Sequence, residues 1–231
     1  MKRFTDALLR CSESGKVPVI PDFKVFSPRD GPLFQGRNIL DAARHMERAG
    51  APVLSVVTES KEFHGSLELL CQIAATVCIP LLRKDFIRTP EDIAQTARCG
   101  AAAVLLICSC MDETQLRTLY HTALDYGLEP LIETHSVQEL ELAASLGAQL
   151  VGINNRDILK LERDGGTVET TAQLGLHKPD GAFLISESGI QTPMDIQSAL
   201  KSGADAVLVG TAIWKAPDPF AFYRRLSTKE A

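Results

Sequence analysis

TPEDIAQTARCGAAAVLLIC, residues 89–108, holds one complete helix–turn–strand unit. Thr89-Pro90 puts a hydroxyl cap before a proline at the first helical position. Apolar residues then recur at helical spacing until Gly100, the expected helix stop. Ala102–Cys108 is a continuous apolar run, and such runs mark strands buried on both faces, as in parallel sheets.

The unit repeats along the chain. Strand-like runs are VPVIPDF (17–23), PVLSVVT (52–58), IPLLRK (79–84), AAVLLIC (102–108), EPLIET (129–134), QLVGIN (149–154), AFLIS (182–186) and DAVLVG (205–210). Amphipathic stretches such as NILDAARHMERAG (38–50), SVQELELAASLG (136–147) and TPMDIQSALKSG (192–203) lie between them. A Gly-Ala pair precedes the strand at 50–51, 100–101, 147–148 and 203–204. Eight strand signals, each followed by a helical one, describe an α/β chain closed as a (β/α)8 TIM barrel. An open doubly wound sheet would want a glycine-rich turn after its first strand, and Asp22-Phe23-Lys24 is not one. The expectation is one barrel over residues 1–231 with a short N-terminal helix. That helix, folded over the rim, would form a lid.

Composition agrees. The 231 residues are 45% hydrophobic and 23% charged, with a net charge of −5, which suits a globular domain with a large core. The mildly acidic balance disfavours nucleic acid and anionic membranes as partners. No run approaches the roughly 18 apolar residues of a membrane span, and MKRFTDALLRCSESGK lacks the apolar segment of a signal peptide. Cys11, Cys71, Cys78, Cys99, Cys108 and Cys110 follow no metal or CxxC spacing, so six reduced thiols and a cytoplasmic location are expected. The histidines (45, 64, 121, 135, 177) are scattered. Neither a metal nor a cofactor is expected. Outward helix faces such as those carrying Leu116 or Phe222 do not reveal oligomeric state, and a monomer is the working expectation.

In a TIM barrel the chemistry sits at the C-terminal ends of the strands. Those ends carry Asp22, Lys24 and Ser27 on the first strand, Thr58 and Glu59 on the second, and Lys84 and Asp85 on the third. Ser109 follows the fourth, Glu133 ends the fifth, and Asn154 and Arg156 the sixth. Glu187 and Ser188 close the seventh, Gly210 and Thr211 the eighth. Charges in apolar strands are costly to bury unless paired, so their convergence on one rim points to function. Ser188-Gly189 and Gly210-Thr211 occupy the two loops where barrels commonly bind phosphate. Two lysines with several carboxylates suit acid–base work on a carbonyl, a lysine of lowered pKa acting as general acid or amine nucleophile. The residues alone support a barrel enzyme for a phosphorylated carbonyl compound.

The segments DFKVFSP (22–28), TESKEFHGS (58–66), LRKDFI (82–87), IETH (132–135), GINNRD (152–157), SESGI (186–190) and LVGT (208–211) resemble the indole-3-glycerol phosphate synthase family, in its order and over nearly the whole chain. The resemblance implies ring closure of 1-(2-carboxyphenylamino)-1-deoxyribulose 5-phosphate with loss of CO2 and water, in tryptophan biosynthesis. It implies Lys84 as proton donor to the ketone, and Lys24 and Arg156 as holders of the carboxylate. Lys24 also delivers a proton in the dehydration. Asp22 and Glu133 balance the lysines and take up the ring proton, while Asn154 and Glu187 orient hydroxyl and ammonium groups. Ser27, Ser188, Gly189, Gly210 and Thr211 seat the phosphate; Pro28, Phe63 and Phe86 flank the aromatic ring.

Departures cluster near the first strand. Asp22 replaces the family's glutamate, Val25 a basic residue and Phe26 a small one. Arg29 stands for a small residue and Glu62 for an aromatic one, and family members usually carry a few dozen more residues in front. They leave other readings open: a family member for another arylamino-sugar phosphate, a non-catalytic phosphate-binding barrel, or a Schiff-base aldolase using Lys84 or Lys24.

Overall fold

The computed structural model describes residues 4–156 and 167–229. Eight parallel strands close a barrel: β1 (Val19–Phe23), β2 (Leu54–Val57), β3 (Leu81–Lys84), β4 (Ala103–Ile107), β5 (Glu129–Thr134), β6 (Leu150–Asn154), β7 (Phe183–Glu187) and β8 (Ala206–Val209). Neighbours in sequence are neighbours in the sheet. Closure is made where β8 meets β1, with Val19 opposite Val207 and Pro21 opposite Val209.

The continuous apolar runs have their physical reason in this closure. In β4, Ala103, Leu105 and Ile107 face the barrel interior, whereas Val104 and Leu106 pack against the helices. The helices are α1 (Phe4–Glu13), α2 (Ile39–Arg48), α3 (Leu67–Ala74), α4 (Pro90–Arg98), α5 (Glu113–Asp125), α6 (Val137–Ser145), α7 (Glu169–Leu174), α8 (Pro193–Lys201), α9 (Thr211–Lys215) and α10 (Pro219–Leu226). Thr89 and Thr192 each form a capping box with an aspartate three residues on. Gly100 and Gly203 end their helices at φ +84° and +97°, where a side chain is strained. Leu116 faces inward and is buried, and Phe222 packs partly against the outer core. Among the described residues no helix is long and apolar enough to cross a membrane.

The expected first helix is present, but it sits at the opposite end from a lid. Phe4 and Leu8 are fully buried in the inner cluster with Leu150, Phe183 and Ala206, the first residues of their strands. Glu129, the first residue of β5, receives the backbone N–H groups of Phe4 and Thr5 and the Thr5 hydroxyl on its carboxylate. An acid at a helix N-terminus satisfies donors that have no intrahelical partner. Helix α1 therefore seals the floor of the barrel, because its apolar face fits there and Glu129 caps it.

A second expectation is corrected at the cysteines. Cys71 and Cys99 are disulfide-bonded, with Cα atoms 4.5 Å apart, whereas Cys11, Cys78, Cys108 and Cys110 are free. The pair lies on α3 and at the end of α4, which flank β3, and 28 residues separate them, so no local spacing announces it. Peptide mapping without reductant is expected to recover the two cysteines on linked peptides. Reduction is expected to lower the thermal midpoint by roughly 5–15 °C, from the chain-entropy effect of a loop this long. Free alkylation of both thiols in the native protein would refute the crosslink.

Candidate active site

Four interior side chains two residues above the apolar layer change the barrel from oil to charge. Ile20, Leu82, Leu131 and Ile185 belong to the inner apolar cluster. Two positions later, on the same strands and the same face, stand Asp22, Lys84, Glu133 and Glu187. Alternate strands of such a barrel supply the members of one layer, and β1, β3, β5 and β7 supply these.

Lys84 organises the layer. Its Nζ donates to Glu133 Oε2 at 3.2 Å and to Glu187 Oε2 at 3.1 Å, and both glutamates are fully buried. An ammonium has three donors, so these two bonds leave one N–H for the cavity that Lys84 lines. Burial pulls the Lys84 pKa down, but Glu187, Glu133 and Asp22 outweigh it and hold the group well above its ordinary value. The shift is opposite in sign to the lowered lysine considered from sequence, and a lysine kept as ammonium is a poor amine nucleophile. Glu187 moves up to about 7, first through burial and against the pull of Lys84, with Glu133 and Asp22 adding to the rise. One ammonium facing several buried carboxylates leaves negative charge over, and that excess adds to the rise at Glu187. Gly152 makes room for it: a Cβ there would stand 2.2 Å from Glu187 Oε1.

Above this layer lies a cavity. Of the sequence candidates, Asp22, Lys24, Phe63, Lys84, Phe86, Asn154, Arg156 and Ser188 line it. Glu133 and Glu187 lie beneath it and meet it through Lys84. Asp22 accepts from Ser55 Oγ at 2.7 Å, and its carbonyl accepts from Trp214 Nε1 at 2.7 Å. Asn154 Oδ1 accepts from the Arg156 N–H at 3.0 Å. Lys24 Nζ lies over the Phe63 ring, 5.8 Å from its centre. The Phe63 loop is shaped by Glu59, whose carboxylate accepts from the N–H groups of residues 61, 62 and 63.

Ser27, Pro28, Gly189, Gly210 and Thr211 are not among the residues that line the cavity. Ser27 is buried in the hairpin after β1, accepting from Asp30 N–H at 3.3 Å, and Pro28 follows it. Arg29 pairs with Asp30 inside the hairpin at 3.2 Å, and Phe26 stacks on His64 with ring centres 4.2 Å apart, so one departure from the family pattern knits the hairpin to the β2 loop. Ser188 and Gly189 have φ +65° and +74°, and successive left-handed residues turn N–H groups toward an anion. Gly210 caps α9 and packs on Asp22, where a Cβ would come within 3.2 Å; Thr211 opens that helix. Thr58 and Asp85 serve structure, holding the buried guanidinium of Arg83 at 2.9 Å each.

Asn155 escaped the sequence reading although it lies in GINNRD. Its Nδ2 is within 2.9–3.1 Å of Ser186 Oγ, Glu187 O and Ser188 O, and its Oδ1 accepts from the N–H and hydroxyl of Thr171. This knot fixes the strained backbone of Ser188. Ser55 and Asn155 had a signal, a polar residue in or beside an apolar run. Gly152 had none.

A closed barrel with an ammonium between buried carboxylates, under a cavity bearing further cations, defines an acid–base enzyme of the barrel class for a small anionic molecule. The family model described as indole-3-glycerol phosphate synthase matches residues 1–226. The indole-3-glycerol phosphate synthase of Thermococcus kodakarensis is 44% identical over 211 residues, which cover 91% of this chain and 92% of the relative. That of Pyrococcus abyssi is 43% identical over 91% of this chain and 90% of its own length, and that of Carboxydothermus hydrogenoformans 38% identical over 92% and 80%. The chain belongs to the indole-3-glycerol phosphate synthase family. A long front segment is not general to it, since the match nearly fills the first two relatives.

The Glu187 shift gives a direct check. Infrared difference spectra should show a buried protonated carboxyl below about pH 7 that vanishes as pH rises through that value, and Glu187→Gln should lack it. A spectrum free of such a band at pH 5 would show that Glu187 stays ionised.

Proposed function

We propose that the chain converts 1-(2-carboxyphenylamino)-1-deoxyribulose 5-phosphate into indole-3-glycerol phosphate, CO2 and water. The observation that carries this reading is Lys84, an ammonium with two N–H groups committed to Glu133 and Glu187 and one directed to a cavity that Lys24 and Arg156 also line. The ring carbon bearing the carboxylate attacks the ketone, and negative charge grows on the ketone oxygen. Lys84 meets that charge and supplies the proton. Lys24 and Arg156 hold the carboxylate in line, and its departure as CO2 restores the aromatic ring.

The attacking ring carbon loses CO2 rather than a hydrogen, so no ring proton needs an acceptor there. Dehydration instead removes a proton from the sugar carbon beside the amine and the new hydroxyl as water. Asp22, in the cavity wall, takes the proton; Lys24 gives one to the hydroxyl. Glu133 and Glu187 keep Lys84 charged and aimed, and Asn154 orients the sugar hydroxyls. Phe63 and Phe86 flank the ring, with Pro28 at the hairpin. Ser27, Ser188, Gly189, Gly210 and Thr211 receive the phosphate, the position favoured in this fold. The aldolase reading fails on Lys84, because a Schiff base needs the neutral amine. The residues named all lie on this chain, so the reading needs no partner chain, while the Cys71–Cys99 bond removes the thiol argument for a cytoplasmic location.

Incubation with the substrate should give indole fluorescence and equimolar CO2. Lys84→Met should lower kcat by roughly 10²–10⁴-fold, with its melting curve measured alongside. Binding of a reduced substrate analogue without turnover by the unaltered chain would favour a non-catalytic barrel instead.

Asn155→Asp sets an oxygen against two carbonyl groups that now face amide donors. The expected result is a KM for the phosphorylated substrate raised roughly tenfold with a smaller change in kcat, and weaker inhibition by inorganic phosphate. Equal losses in kcat and unchanged phosphate inhibition would mean that Asn155 does not serve the phosphate loop.

A further inference from the structure

His135 follows β5 and precedes Ser136, the cap of α6. Its backbone N–H donates to Glu139, in the first turn of that helix. The ring lies between two carboxylates. Nε2 is 3.6 Å from Glu133 Oε1, and Nδ1 is 3.6 Å from Glu139 Oε2. These are ion-pair separations, beyond hydrogen-bond length. Glu133 Oε1 is buried, and neither it nor either ring nitrogen has a hydrogen-bond partner among the described residues.

A neutral imidazole carries one N–H and one lone pair. With an anion at each nitrogen, the neutral ring must turn its lone pair on one of them. The imidazolium offers an N–H to both. We propose that His135 is held as an imidazolium between Glu133 and Glu139 and acts as a positioning residue, giving Glu133 a cation on the side that Lys84 does not reach. The inference rests on the proposed function only for its kinetic consequence. Lys84 neutralises Oε2 and His135 neutralises Oε1, so the carboxylate is fixed from both sides. Its aim in turn fixes the free N–H of Lys84.

The surrounding groups agree in sign. Burial pulls the His135 pKa down, and Glu139, Glu133 and Glu187 together more than reverse it. The thiols nearby stay neutral: Cys108 is pushed up to about 12 by burial, then Glu139 and Glu133, and Cys110 is raised by burial first, then Glu133. A raised histidine keeps its charge below its folded pKa and loses it as pH rises through that value. The hold on Glu133 is therefore present below that raised pKa and lost as pH rises through it.

The test combines nitrogen NMR of histidine-labelled protein with kinetics. Both His135 nitrogens should be protonated at pH 7, the signal being assigned by its absence in His135→Gln, and the midpoint should fall in Glu139→Gln. His135→Gln should lose roughly tenfold in kcat with KM within about twofold, and the alkaline limb of the wild-type kcat profile should move. A neutral ring at pH 7 overturns the inference, as does wild-type kcat and pH profile in His135→Gln. Absence of turnover in the unaltered protein would count against the proposed function alone, since the spectrum still decides the charge of the ring.

Discussion

A single ammonium shared by two fully buried carboxylates is the constraint on which this barrel depends. Taking ions out of water costs several kcal/mol each, and the penalty is recovered only where geometry is good and every charge has partners. The barrel meets that condition by symmetry of position. β1, β3, β5 and β7 each step from an aliphatic residue to a charged one at the same height, so Asp22, Lys84, Glu133 and Glu187 converge without any loop having to place them. The apolar layer below excludes water from one side of the charges. That raises their mutual field and pushes Glu187 toward neutrality.

Close approach needs absent atoms as much as present ones. Gly152, on β6 between the strands carrying Glu133 and Glu187, has a hydrogen where any other residue would overlap the Glu187 carboxylate. Gly210 gives Asp22 room in a milder way, since a Cβ there would come within 3.2 Å of its side chain. Asp22, one methylene shorter than the glutamate of the family pattern, is anchored by Ser55 on the neighbouring strand and by Trp214 from α9. The shorter carboxylate is thus a seated one, held at its oxygen and at its backbone.

Much of this was legible in the sequence because a parallel barrel writes itself locally. Unbroken apolar runs, threonine-proline caps and glycine stops each depend on residues within one helix or strand, so the eight units could be counted. The rim residues were legible for the same reason: a charge at the end of an apolar run is conspicuous. What could not be read were relations across the barrel. That Lys84 lies between Glu133 and Glu187 depends on closure and stagger, and its raised pKa follows from that pairing. The Cys71–Cys99 bond joins separate helices, and the place of α1 was set by Glu129, a residue more than a hundred positions away. Length and composition of the first helix were visible; the end of the barrel it would close was not.

The charge arrangement also bears on how a substrate with two anionic ends would be oriented. Lys84 has one N–H left but little net charge to offer a carboxylate or phosphate, because Glu133 and Glu187 occupy its other two donors and offset its charge. An anion entering the cavity meets repulsion at the centre of the floor and attraction at its edge. Lys24 and Arg156 line the wall, and the turn at Ser188-Gly189 offers backbone dipoles. A compact anion that accepts several N–H bonds fits the turn, whereas a planar carboxylate is matched by a guanidinium fork. The uncharged carbonyl is then left over the centre, where Lys84 is tolerant of a neutral oxygen and stabilises it once it gains charge. Orientation is thereby decided by where the barrel has already spent its lysine.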